Sequence, residues 1–379
     1  MVYKIYIILI LFFSSCNRFF SQDGVIVDLS NPQIVSVFDY FSHIELIPLE
    51  TNENSVLGGF VDKIILHQNR FYVFDGRRIN VFDKSGKFIL TIGNEGRGPG
   101  EFIMLSDIII NPFTGNIDLL SAIEGRIHSY DLQGNHVKSS GRINNTEFPA
   151  PAIHRLIAIS ETEYVIFPFG YHYPYKIIYY DLDKMNIVRQ LYEGSSFAQN
   201  ADPSHPFYEY NGEWYFFMAL DRTTYKVEPH SLVKAYTWDF GRFNYDANSR
   251  KYPTDINRMT EMYVQLPYRI FNQGQNDRYV IAVIFISDNS VNYGVRLSIY
   301  DKLTQKSKFI EHFTETGYFI LPIAITNEYV LSFGNYDEQT ALKNFVNSEM
   351  LDDVNSQRLE AFINAEEEQN PVIIKYYFK

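Results

Sequence analysis

A chain of 379 residues with 46% hydrophobic content is long enough to bury a large core, and its formal net charge of −12 argues against a nucleic-acid partner held by phosphate attraction. Its single cysteine, Cys16, excludes an internal disulfide and a cysteine-built metal cluster. Aromatic residues make up 16% of the chain, a content that suits the space between face-packed sheets and leaves a minority of rings for a binding surface.

In chain order, Lys4 leads an apolar run from Ile5 to Phe13 that has signal-peptide length and is short for a bilayer span. Ser14, Ser15 and Cys16 follow directly, and small residues before a cysteine at that place look like a bacterial lipobox. On this reading residues 1–15 are a lipoprotein signal peptide, Cys16 is lipidated, and residues 16–39 hold the lipidated end and a tether. The other reading is a buried N-terminal strand ending in an incidental cysteine. A lipid anchor on Cys16 places the protein in the cell envelope, on the periplasmic or surface face of the outer membrane, with its folded part soluble.

The remainder, residues 40–379, repeats. A hairpin at Ile79 to Phe88 recurs at Ile127 to His136 and Ile177 to Asn186, with weaker copies at Tyr225 to Ser231 and Leu297 to Thr304. From Asp83, Asp131, Asp181, Glu228 and Asp301 the steps are 48, 50, 47 and 73 residues (83 to 131, 131 to 181, 181 to 228, 228 to 301). Steps of about 40–50 residues carrying several strands each are a propeller period, and the long fourth step marks an insertion. The strand before each hairpin occurs six times, starting at Phe71, Ile117, Tyr164, Trp214, Tyr279 and Tyr329, so six blades are expected. A ring hides its edges only if it closes, so His43 to Leu49 is expected to complete the last sheet beside Val372 to Phe378.

Between the first two repeats stands Gly93-Asn94-Glu95-Gly96-Arg97-Gly98-Pro99-Gly100-Glu101-Phe102, then a Thr114-Gly115-Asn116 turn and the Arg126-Ile127 hairpin ending in Tyr130, Asp131 and Gly134. This stretch resembles one blade of an NHL-type β-propeller, and the whole chain resembles the six-bladed propeller lipoproteins of Bacteroidetes. The resemblance implies an all-β, six-bladed β-propeller. Two stretches break the β pattern. Apolar residues from Leu342 to Ile363 recur at helical spacing within residues 339–368, which predicts a helical insertion in the last blade, either a cap over the channel or packing decoration. Asp255 to Tyr263 is a second candidate for a short helix.

No HExxH, nucleophile elbow or P-loop is present. Arg97 and Glu101, on the glycine-rich connection, either face a ligand or pair with each other on a solvated loop. Tyr171, His172, Tyr173 and Tyr175 form an aromatic loop that either offers stacking faces to a sugar or peptide or tucks onto the sheet edge. His205, Tyr208 and Tyr210 come from the next connection and could share its groove. The histidines lack metal-ligand spacing. Asp62, Asp107 and Asn111 could ring an axial Ca²⁺ as in propeller lactonases, or simply form turns. The first functional reading is therefore a non-enzymatic, membrane-anchored propeller that binds a glycan, a peptide or an envelope protein. The alternative is a metal-dependent hydrolase or lyase acting at the channel mouth.

Overall fold

The structure, a computed structural model, describes residues 24–58, 61–143, 153–168, 173–193, 202–244, 266–287, 294–317, 320–334, 339–346 and 349–379. The expected signal peptide, residues 1–15, and Cys16 lie outside these residues, as does the short helix expected over Asp255 to Tyr263.

Alternating apolar residues and tight turns build six antiparallel sheets in succession. From the inside outwards, blade 1 comprises Lys63–His67, Arg70–Phe74, Ile79–Asp83 and Phe88–Ile92; blade 2, Leu105–Ile110, Ile117–Ser121, Arg126–Tyr130 and His136–Ser139; and blade 3, Ile153–Ala158, Glu163–Pro168, Tyr175–Asp181 and Asn186–Glu193. Blade 4 comprises Phe207–Tyr210, Glu213–Phe216, Thr223–Glu228 and Ser231–Asp239, and blade 5 Tyr268–Gln275, Tyr279–Ile286, Gly294–Asp301 and Lys306–Phe313. Blade 6 takes Ala324–Ile325, Tyr329–Gly334 and Val372–Phe378 from the end of the chain and Phe41–Pro48 from its start. The expected closure is present: Ile373 stands opposite Ile47 and Tyr376 opposite Ile44 in an antiparallel ladder.

The recurring acidic residue has a local cause. The side chains of Asp83, Asp131, Asp181 and Asp301 each accept backbone N–H bonds from residues two to four further on, which fixes the turn between the two outer strands of a blade. Gly86 in the first of these turns has φ +87°, and a Cβ there would stand 2.1 Å from the Pro48 carbonyl oxygen. Only glycine lets the blade 1 turn approach the closing strand so closely.

The hydrophobic core is divided into six clusters, one between each pair of neighbouring blades. Tyr72, Ile108 and Leu119 pack between blades 1 and 2, Leu120, Leu156 and Ile178 between 2 and 3, and Val165, Phe216 and Met218 between 3 and 4. Trp238, Tyr268 and Ile284 lie between 4 and 5, Ile281, Phe313 and Tyr376 between 5 and 6, and Ile47, Phe71 and Leu331 between 6 and 1. A cluster at the 6–1 junction shows that the ring is packed all the way round.

Residues 25–39, assigned above to the tether, are part of the folded body. Val25, Val27 and Leu29 alternate with polar or exposed neighbours and are buried, as are Val35 and Val37. That period-two pattern lets the segment add a short parallel strand to the outside of blade 4, with Val25 opposite Trp238, and another to blade 5, with Val35 opposite Phe313. The family-like β region therefore starts near residue 25 rather than 40. The helical insertion is present as two helices, α1 Gln339–Val346 and α2 Asp353–Ile363. They do not roof the channel where they are described. They cover the outer edge of blade 6: the Leu46 N–H donates to Asn355 Oδ1 (2.8 Å), the Ile44 N–H donates to the Met350 carbonyl (3.1 Å), and Arg358 donates to the Leu46 carbonyl.

Candidate ligand-binding channel

The innermost strands run in the same direction round the ring. This follows from hydrogen bonds one blade apart at both strand ends: Asn272 donates to the Pro322 carbonyl at the start of its strand, and the Asp277 N–H donates to Asn327 Oδ1 at the end. Sequence separations of 49 or 50 recur among these bonds, so the blade period is also the spacing of bonded partners. Between the strands of blades 4, 5, 6 and 1 lies a cavity of about 860 Å³. Its lining runs from Ser204 to Asn211, Phe271 to Gln275, Leu321 to Asn327 and Val61 to Leu66, the full length of the inner strands.

Blades 2 and 3 reach the axis through charge. Arg155 donates to both carboxylate oxygens of Asp62 (2.7 and 2.9 Å) and to the carbonyls of Ser106 and Ser204. Lys63 Nζ donates to Asp107 Oδ1 at 2.8 Å, and the other oxygen of Asp107 accepts from the Leu156 N–H. Burial by itself would raise the Asp107 carboxyl, but Lys63 and Arg155 outweigh it and hold the group below the usual carboxylate range. Four blades are tied together at this mouth by one bidentate guanidinium and its neighbours.

The opposite end of the cavity is aromatic and amide-rich. Tyr208 stacks on Tyr215, its hydroxyl lies 3.0 Å from that of Tyr236, and Tyr210 donates to Asp277. Gln273 bridges the Trp238 indole and Thr224, which fixes the strand that carries Phe271 and Asn272. Phe271 is 40% and Leu321 55% exposed, unusual values for large apolar side chains lining a cavity. Several polar groups in the lining have no protein partner among the described residues. These are the His205 ring, the Trp214 indole N–H and the Glu209 carboxylate. Burial, followed by the nearby Arg155 and Lys63 charges, pushes the His205 imidazole down to about 4, so it is a neutral donor and acceptor at pH 7.

Of the residues expected to bind, His205, Tyr208 and Tyr210 line this cavity. Tyr171 and His172 lie outside the described residues. Tyr173 is buried and accepts a hydrogen bond from Gln190, and its ring meets that of Tyr175 in the core between blades 2 and 3. These two rings tuck onto the sheet, because the apolar cleft between blades offers them more buried area than the loop does. Arg97 and Glu101 do not line the large cavity. Arg97 is exposed, and the Glu101 carboxylate accepts from the Gly98 N–H of its own loop. That loop borders a second cavity of about 280 Å³ lined by Arg77, Arg78, Thr91 and Asn94.

The residues proposed for an axial Ca²⁺ do not fit one. Asp62 and Asp107 do converge, but the Arg155 guanidinium stands between them, and the two Asp107 oxygens already accept from Lys63 and from the Leu156 N–H. Asn111 sits at the far end of its strand, bonded to Asp118 and Tyr164. Among the described residues no group of three or more His, Cys, Asp or Glu side chains is placed to hold a metal ion. Sequence reasoning missed Trp214, Glu209, Phe271, Asn272 and Arg155. The available signal was position: they sit on, or next to, the first strand of a blade, the strand that lines the axis.

A family model described as a domain of unknown function, DUF4934, matches residues 25–377. No curated protein matches the chain. Among solved structures, one from Bacteroides fragilis NCTC 9343, described as an exported protein, is similar with a TM-score of 0.68 at 16% identity, over 93% of this chain and 99% of that one. A member of the DUF4221 family from Bacteroides vulgatus ATCC 8482 is similar with a TM-score of 0.51 at 10% identity, over 92% and 99% of the two chains. Both likenesses extend over the whole ring and concern its fold.

Proposed function

The chain belongs to the DUF4934 family, and from that premise we propose that it is a binding propeller whose axial cavity takes a carbohydrate. The observation that carries this reading is the lining of the cavity: exposed apolar faces at Phe271 and Leu321 and the half-buried ring of Trp214, beside polar groups with no protein partner among the described residues at His205, Trp214 and Glu209. Sugars present apolar ring faces and many hydroxyls, so a site for them needs flat rings next to free donors and acceptors. A peptide or another envelope protein is the competing ligand class.

The metal-dependent hydrolase reading loses its support in the placement of Arg155 between the carboxylates it would use. The cellular setting we propose is the cell envelope, with the ring held at the outer membrane by lipid on Cys16; the lipobox-like Ser14-Ser15-Cys16 supports this, and the exported description of the Bacteroides fragilis structure agrees with it. The finer likeness to NHL-type repeats remains part of this proposal and rests on the hairpin residues quoted above.

The test is thermal unfolding of the ring against a panel of soluble oligosaccharides and peptides. A ligand that binds only the native state raises the midpoint by mass action. Stabilisation by at least one oligosaccharide, absent in Trp214→Ala, is the expected result. Stabilisation by peptides alone would overturn the carbohydrate reading.

A further inference from the structure

Among the described residues, the charges that line the cavity are compensated by the protein with one exception. Asp62 is paired with Arg155 and Lys63 with Asp107, while His205 is neutral. Near the other mouth, Asp277 accepts from Tyr210, Asn211 and Asn327. Lys302 donates to Gln275 and to the Asn276 carbonyl. Glu209 is left: it is exposed in the cavity wall, on the innermost strand of blade 4, and among the described residues it has neither an ion pair nor a hydrogen bond.

Its surroundings are aromatic. Trp214 stands directly opposite Glu209 in the ladder between the first two strands of blade 4, which puts the two side chains on one face of the sheet. Tyr208 and Tyr210, its neighbours in sequence, project to the other face of the strand and extend the aromatic wall of the same cavity there. Partial removal from water pushes the carboxyl above its ordinary range, so the group gains from a cation that restores its charged form. A carboxylate beside ring faces is the combination that recognises an ammonium group, through charge on one side and the ring quadrupole on the other. The net charge of −12 draws a cation towards the ring in the first place.

We propose that Glu209 and Trp214 form a subsite for a primary ammonium group, and that the ligand is an oligosaccharide bearing a free amine, a 2-amino sugar rather than its N-acetylated form. This rests on the carbohydrate-binding reading above. The amine enters the end of the cavity formed by Glu209 and Trp214, and the sugar ring lies along the aromatic wall. The neutral His205 and the exposed face of Phe271 then serve the uncharged part of the ligand.

The experiment is calorimetric titration of the full chain with a glucosamine trimer and with its N-acetylated counterpart, on wild type and on Glu209→Gln, at low and at physiological salt. The two sugars differ only in charge and acetyl group. The expected result is about tenfold tighter binding of the amine form to wild type, roughly the 1.4 kcal/mol of one partly shielded ion pair with its ring contact. That preference shrinks in the Glu209→Gln variant and with added salt. Glu209 is exposed, so the variant should fold, and its unfolding midpoint checks this. Equal affinity of wild type for the two sugars would overturn the subsite and leave the carbohydrate reading standing. Failure of both sugars to bind, with a lysine-bearing peptide bound instead, would overturn the carbohydrate reading and the amino-sugar assignment together.

Discussion

Arg155 joins blades 1, 2, 3 and the connection into blade 4 at one mouth of the channel, and its side chain is only 4% exposed. Removing it leaves Asp62 without its bidentate partner and Asp107, 1% exposed, with Lys63 alone. Arg155→Met should therefore cost about 3 kcal/mol of stability, the lower end for breaking a buried pair, as read from the denaturant midpoint. Asp62→Asn, which keeps a hydrogen-bonding partner for the guanidinium, should cost less. The same mouth sets an acid limit. Burial holds His154 as well as His205 at about 4, against about 6.5 for an unfolded imidazole. Below pH ~6.5 the unfolded chain takes up protons that these two native rings refuse, so stability falls as the pH drops towards 4. Asp107 acts the same way at lower pH: its contribution is present above the ordinary carboxylate value and is lost as the pH falls through its depressed native one. The denaturant midpoint should drop between pH 7.5 and pH 5, and by less in the His154→Gln, His205→Gln double variant. A midpoint that does not change over this interval would contradict the assigned protonation states.

The elements that cover sheet edges separate what sequence patterns reveal from what they hide. The repeated hairpins could be read because each carries its own turn chemistry, the aspartate at positions 83, 131, 181 and 301. The helices could be read because Leu342, Phe345, Leu359 and Phe362 keep a helical period. Their placement could not, because covering the edge of blade 6 depends on Asn355 and Met350 meeting a strand more than 300 residues earlier in the chain. The strands at Val25–Ile26 and Gln33–Val35 were missed for the same reason: they are two and three residues long, and only the outer edges of blades 4 and 5 make them strands. They also shield Trp238, which is fully buried. Deleting residues 24–36 should expose that indole and two strand edges. The expected outcome is red-shifted tryptophan emission together with self-association on gel filtration. Unchanged emission from a monomeric deletion variant would show that this segment is dispensable.

At the scale of the whole molecule the chain makes more than one circuit. It passes outside blades 4 and 5, supplies the outer strand of blade 6, and then builds blades 1 to 6 in order. The number of blades and their closure were readable because they follow from a period and from the need to hide edges. The channel was readable only in part: His205, Tyr208 and Tyr210 line it as expected, but its wall is assembled from the inner strands of four blades, and a residue such as Glu209 acquires meaning only from Trp214 across the ladder and from the pairing of the other described charges around it. If Cys16 carries lipid as proposed, its eight-residue separation from Gly24 spans at most about 28 Å. The blade 4 side of the ring would then stay close to the membrane surface.

The most direct test of the account is calorimetric titration of an amine-bearing oligosaccharide into wild type and into Asn272→Trp, a variant that fills the cavity from the innermost strand of blade 5. The account predicts saturable one-to-one binding to wild type and its loss in the filled variant, with the variant still unfolding cooperatively and its midpoint lowered only by about the 1 kcal/mol of the lost Asn272 bond to the Pro322 carbonyl. Equal binding to both would place the ligand elsewhere on the ring and contradict the channel as the functional site.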